Sequence, residues 1–221
     1  MSKREMLSQV SPDLDTKNIR AEMKPSDYFV AFSGLTKSYC VGLVDIITST
    51  QITASLGSEK MSRFYEIFLN SISQIVSRFG GSVIKNVGDG ILYYFPESSK
   101  PNRKFGFLAC LECDLAVCEA QNKICQKLRE ENLPCLDFRV SSDYGNVVLC
   151  NVPDSSQTDM MGPPLNMCTK INQLASPNGV VIGGDLHEVV RHFDDYDFKS
   201  MKGFDLGFKY SYAVYSLTRK E

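Results

Sequence analysis

The sequence predicts an α+β domain: one mixed, mostly antiparallel sheet with helices packed on it. Three observations lead there. Apolar runs of strand length alternate with amphipathic stretches of helical period, in the order strand, helix, hairpin, helix, hairpin. Gly and Asn punctuate those runs at hairpin spacing, as in VIKNVGDGILYYF from Val83 to Phe95. With 221 residues, 43% of them hydrophobic and 23% charged, the chain can bury one ordinary core.

Residues 1–36 are polar, contain Pro12 and Pro25, and read as an N-terminal leader or arm; residues 37–221 read as the domain. YCVGLVD, Tyr39 to Asp45, is a buried strand that ends on a carboxylate. IITSTQITASLGSEK follows as a polar loop. From Ser58 to Phe79 the spacing of Met61, Phe64, Phe68, Ile72, Ile75, Val76 and Phe79 predicts a helix, stopped by Gly80-Gly81. Ser82–Asn86 and Gly90–Phe95 form a hairpin, and Glu97–Arg103 a loop. Phe105 to about Asn132 reads as one long amphipathic helix ending before Pro134. Leu136–Ser142 and Asn146–Cys150 predict a second hairpin around Asp143-Tyr144-Gly145. A loop through NVPDSSQTDMMGPP leads to a short helix in LNMCTKINQLA, a strand at VVIG, a helix over Asp185–Arg191, and terminal strands that close on YSYAVYSL.

Composition excludes several classes of function. A formal net charge of −2 leaves no basic excess for binding nucleic acid through its phosphates. No apolar run reaches membrane-spanning length, and the N-terminus lacks the apolar core of a signal peptide, so a cytoplasmic protein without a membrane segment is expected. The eight cysteines, including Cys110, Cys113, Cys118 and Cys125 within one helical stretch, lack a second pair at zinc spacing. A chain of this size needs no disulfide framework, and free thiols behaving as small hydrophobes are expected.

The chemistry concentrates at strand ends. Asp45 ends the first strand and Asp89 sits in the Gly88-Asp89-Gly90 turn. If those strands are neighbours, the two carboxylates converge. Paired acids repel unless a cation joins them, and hard oxygen donors suit Mg²⁺ or Mn²⁺. Ions held this way bring a nucleoside triphosphate with them. Taken singly, each aspartate is better read as a turn cap. After Asp45, the amides of Thr48, Ser49 and Thr50 stand where a turn or helix start can meet phosphate oxygens. Lys85 is the one cation on the shoulder of the first hairpin, a charge that no hairpin requires.

Five stretches in order, VGLVDIITST, VIKNVGDGILYYF, FRVSSDYGNVV, DMMGPPLNMCTKIN and MKG, resemble the class III nucleotidyl cyclase catalytic domain, from about Val41 to Tyr215. The resemblance implies a ferredoxin-like, palm-type core and a homodimer packed head to tail, with active sites shared between the chains. It implies two Mg²⁺ or Mn²⁺ ions per site, held by Asp45, Asp89 and the Ile46 carbonyl. Lys85 and Asp159 fall on the positions that read the purine, and Asn166 on the asparagine that orients the ribose. Arg139 and Lys202 fall on the basic positions that hold the triphosphate tail. Lys170 falls where the family usually carries a transition-state arginine. The implied reaction is conversion of ATP to 3′,5′-cyclic AMP and pyrophosphate. A lysine donor and an aspartate acceptor complement adenine N1 and N6, whereas guanine presents the opposite pattern. Two departures stand out: Lys170 in place of arginine, and Ser49 where an aromatic residue is common. The alternative is a catalytically weak or inactive cyclase-homology module that binds a nucleotide or regulates a partner protein through dimerisation.

Overall fold

The first strand sets the frame. In the computed structural model, which describes residues 31–100, 104–151, 158–201 and 212–220, β1 runs Ala31–Ile46. It therefore includes residues 31–36 of the expected arm. The rest of that arm lies outside the described residues. Then follow α1 (Ser49–Ala54), α2 (Ser58–Arg78), β2 (Ser82–Val87), β3 (Gly90–Phe95), a 3₁₀ turn (Pro96–Ser99), α3 (Lys104–Glu119), α4 (Gln121–Glu130) and β4 (Phe138–Asn151). The chain continues through β5 (Thr158–Met161), α5 (Pro163–Asn172), β6 (Val180–Gly183), α6 (Gly184–Val190), β7 (Tyr196–Ser200) and β8 (Val214–Arg219).

The sheet order is β2-β3-β1-β4-β6-β8-β7, with β5 paired to β4 off that path. Among the described residues only β4–β6 is parallel; every other pair is antiparallel. This is the mixed, mostly antiparallel α+β sheet expected from the sequence.

Alternation along the strands separates two faces. Cys40, Val44, Ile46, Ile91, Phe95, Phe138 and Val140 point to one, where Phe64, Phe68, Ile72 and Val76 of α2 and Phe107 and Leu111 of α3 bury them. Tyr39, Val41, Leu43, Leu92 and Val147 point to the other, covered by Leu165 and Cys168 of α5. Among the described residues α5 is the helix on that second face. Asp45, Arg139 and Lys85 share it, because Asp45 pairs with Arg139 and Lys85 with Leu92, which pairs with Leu43.

Five expectations change. The segment read as a loop through NVPDSSQTDMMGPP contains β5 at Thr158–Met161, which pairs with the end of β4. The polar segment after β1 contains α1, which buries no residue and so shows no apolar stripe. The long helix is two: at Ala120 the amide is shared between Ala116 O and Val117 O, and α4 starts anew at Gln121 while the buried positions continue through Ile124, Cys125 and Leu128. The second hairpin does not exist; Asp143-Tyr144-Gly145 runs straight through β4 in register with Val41, Cys40 and Tyr39. Asp143 is occupied elsewhere, accepting from the Leu186 amide at 3.2 Å and the Tyr212 hydroxyl at 2.9 Å. Finally, Cys125 and Cys135 form a disulfide. The turn before β4 folds the chain back onto α4 and brings these two together, so the pairing is local and not a framework. The other six cysteines are free. Among the described residues no helix is long and apolar enough to cross a membrane.

Candidate active site

The β2–β3 loop has two residues, Gly88 and Asp89. Gly88 takes φ +60°, a conformation that favours glycine at the first position of such a loop. Gly90, directly after, lies against the end of β1. A Cβ there would stand 2.6 Å from the Val44 carbonyl oxygen and 3.0 Å from Asp45 Oδ1. The turn thus carries Asp89 to the side of Asp45, as the sequence predicts if the strands are neighbours. Burial first, and then the Asp89 charge, push the Asp45 carboxyl up to about 6 against the opposing Arg139 charge. Arg139 faces Asp45 across the β1–β4 ladder, and its Nε donates to Ala175 O at 3.0 Å.

This corner holds two carboxylates and the adjacent Ile46 carbonyl, a hard-oxygen set that fits a divalent cation. Among the described residues no group of three or more His, Cys, Asp or Glu side chains is arranged to hold a metal. An ion bound here would need further oxygens from its ligand, as Mg²⁺ bound with substrate phosphates does. Just beyond, Thr48 has φ 56° and its carbonyl accepts from the Gln51 and Ile52 amides, which starts α1. Ser49 and Thr50 occupy the first helical turn, whose amides have no intrahelical acceptor. The preceding amide, Ile47 N–H, donates to Asp137 O at 2.9 Å and pins the segment to the start of β4.

A second cluster forms elsewhere on the face. Lys85 Nζ donates to Asp159 Oδ2 at 2.6 Å, with the lysine side chain 41% and the aspartate 17% exposed. Lys85 therefore pairs with Asp159 and not with its neighbour in sequence, Asp89. Asp159 Oδ1 also accepts from the Met160 amide at 2.7 Å. Asp159 pairs with Cys150, at the opposite end of β4 from Arg139. Asn166 and Lys170 lie on the exposed side of α5, where they line a cavity of about 470 Å³ with Pro163, Met167 and Thr169. Lys202 lies outside the described residues.

The structure thus brings together Asp45, Asp89 and Arg139 in one corner, and Lys85 with Asp159 in another. Two residues escaped the sequence reading. Ser141 and Asn172, both buried, hold α5 to the sheet through hydrogen bonds. The available signal was a polar residue, Asn172, at a position where helical spacing from Leu165 and Cys168 calls for an apolar one.

Residues 33–218 match the model of the adenylate and guanylate cyclase catalytic domain family. Photoactivated adenylate cyclase subunit beta of Euglena gracilis is 29% identical over 113 residues, 48% of this chain and 12% of that protein. An adenylate cyclase of Streptomyces coelicolor is 21% identical over 142 residues, 64% of this chain and 31% of that one. The chain therefore aligns with less than a third of the length of either relative. Among solved structures, the adenylyl cyclase CyaB from P. aeruginosa has a TM-score of 0.74 at 18% identity, covering 85% of this chain and 96% of that one. The guanylyl cyclase Cya2 has a TM-score of 0.69 at 18% identity, covering 83% and 93%. At such identity the likeness is one of fold, and that fold serves cyclases of both bases.

Proposed function

The chain belongs to the adenylate and guanylate cyclase catalytic domain family, and from that premise we propose that it converts ATP to 3′,5′-cyclic AMP and pyrophosphate at sites shared by two copies of itself. The observation that carries this is the close approach of the Gly88-Asp89-Gly90 turn to Asp45, which sets two carboxylates in one corner with an arginine across the strand. A corner built only for stability would not hold a repelling acid pair.

In the proposed reaction the ribose 3′-hydroxyl gives up its proton to solvent as its oxygen bonds to the α-phosphorus, the bond from that phosphorus to the α,β-bridging oxygen breaks, and pyrophosphate leaves. Asp45, Asp89 and the Ile46 carbonyl would hold Mg²⁺ or Mn²⁺, two ions per site, which lower the pKa of the attacking hydroxyl and offset charge on the phosphate oxygens. Arg139 and Lys202 hold the triphosphate tail, with the amides of Thr48, Ser49 and Thr50 beside it. Asn166 orients the ribose. Lys170 offsets charge that builds in the transition state.

Lys85 and Asp159 read the base. Their hydrogen bond to each other holds a donor and an acceptor side by side. Adenine accepts from the lysine at N1 and donates to the aspartate from N6. Guanine would set donor against donor and acceptor against acceptor, and each buried mismatch costs about 1–3 kcal/mol. Two mismatches support a preference for ATP of about a hundredfold or more.

Sharing between chains is supported by the separation of the clusters along β4. A head-to-tail twofold would bring the Asp45 corner of one chain to the Lys85–Asp159 pair and the outer side of α5 of its partner. Purified protein given ATP or GTP with Mg²⁺ or Mn²⁺ tests the proposal. Cyclic AMP formation abolished by Asp45→Ala supports it; no cyclic nucleotide from either substrate refutes it.

Lys170 supports a second reading. A guanidinium offers phosphate a rigid fork of donors, while lysine is a flexible point charge. A dimer that binds nucleotide, turns it over slowly or not at all, and regulates a partner protein fits that substitution. Saturable ATP binding without product in the same assay favours this alternative.

A further inference from the structure

Buried amides are rare without partners, so the contacts of Asn172 carry information. It is the last residue of α5 and 3% exposed. Its Nδ2 lies within hydrogen-bonding reach of three acceptors: Leu43 O on β1 at 3.4 Å, Arg139 O on β4 at 3.2 Å and Ser141 Oγ on β4 at 3.2 Å. The Ser141 hydroxyl donates in turn to the Cys168 carbonyl of α5 at 2.9 Å, and the Cys168 thiol donates to Val41 O at 3.4 Å. Leu43 stands two residues before Asp45, and Arg139 is the cross-strand partner of Asp45. The same helix presents Asn166 and Lys170 on its outer side. A buried polar latch therefore joins the helix of one half-site to the strands of the other.

We infer that Asn172, acting with Ser141, is a positioning residue that fixes the pose of α5 and through it the placement of Asn166 and Lys170. The inference rests on the shared-site cyclase reading above. Its direction follows from mechanics. β1 and β4 are each laddered to neighbours on both sides. The helix has no ladder and lies on the sheet through side chains. When the latch is cut, the helix shifts and the strands stay. The damage then falls on the site that receives α5 and spares the site that receives Asp45, although the latch touches the Asp45 strands.

Mixed dimers test this. Asn172→Leu keeps the branching at Cγ and removes the donors at the cost of added bulk; Ser141→Ala is the milder variant, which adds none, should the first fold poorly. In homodimers of either variant, kcat for ATP falls about tenfold or more while KM stays within about threefold, because binding survives better than alignment. Differently tagged chains are then purified as verified mixed pairs. Asn172→Leu (or Ser141→Ala) paired with Asp45→Ala should regain activity, since one site receives an intact helix and an intact carboxylate. Paired with Asn166→Ala it should not. Recovery with Asn166→Ala, or with neither, overturns the inference. The pair Asp45→Ala with Asn166→Ala is the reference. Its failure to recover refutes shared sites as such, and the homodimer measurement then decides: wild-type kcat in both folded variants overturns the role of Asn172, and a selective kcat loss sustains it.

Discussion

Gly90→Ala should separate the two carboxylates without replacing either, since the added Cβ crowds both the Val44 carbonyl oxygen and Asp45 Oδ1. An alanine Cβ at this position would lie 2.6 Å from the Val44 carbonyl oxygen, about 0.8 Å short of the 3.4 Å at which ordinary contact begins. Val44 is backbone of a central strand and is fully buried, so it does not yield. The turn must move instead, by most of that gap, and Asp89 moves with it. Overpacking of this kind costs about 1–3 kcal/mol of stability. A misplacement near 1 Å costs up to about a hundredfold in rate, so kcat for cyclic AMP formation should drop roughly ten- to a hundredfold. Initial rates at saturating ATP and metal, with thermal unfolding in parallel, measure both effects. Gly57→Ala is the control, since a Cβ there meets nothing within 4 Å. Gly90→Ala protein with wild-type kcat and unchanged metal dependence would show that the position of Asp89 does not govern the reaction.

Three other outcomes are expected. Lys170→Arg should raise kcat about tenfold or more by restoring a bidentate donor, with little change in KM; a lower or unchanged kcat removes Lys170 from the transition state. Lys85→Ala should lower kcat/KM for ATP more than for GTP and narrow the ratio by about tenfold, whereas equal turnover of the two nucleotides by the parent protein refutes base reading by this pair. Asp114, fully buried beneath the Tyr93 hydroxyl that donates to it at 2.6 Å, is pushed by burial up to about 7 from 3.8. Between those values the native state keeps the proton that the unfolded chain has lost, so stability falls as pH rises from 4 to 7 and then levels. Asp114→Asn removes that contribution, up to about 4 kcal/mol at pH 8. Its melting temperature relative to the parent should climb across the window, and parallel melting curves from pH 5 to 8 would contradict it.

The elements legible in the sequence were those whose signals are local. The spacing of α2 and the NVGDG hairpin place Phe64, Phe68, Ile72 and Asp89 where the structure has them. Asp143-Tyr144-Gly145 misled because a turn-favouring residue has a second use: the Asp143 carboxyl accepts from the Leu186 amide at the start of α6. Helix α1 lacked an apolar face to read. For the site, Asp45 and Asp89 were visible as a strand end and a turn. The meeting of Lys85 with Asp159 depends on β5 folding back over β2, a long-range event that no short window encodes. The Ser141–Asn172 latch was hidden for the same reason, since its acceptors are backbone carbonyls and carry no side-chain signature.

One strand, β4, acts as a ruler between two chemistries, with Arg139 near its first graduation and the Cys150 partner of Asp159 near its last. Removing or adding a single residue within that length would turn every later side chain to the wrong side of the sheet. The purine pair would lose its address while the acid corner kept its own. Drift in this protein is therefore confined to substitutions along β4, and changes of length must fall in the connections outside it.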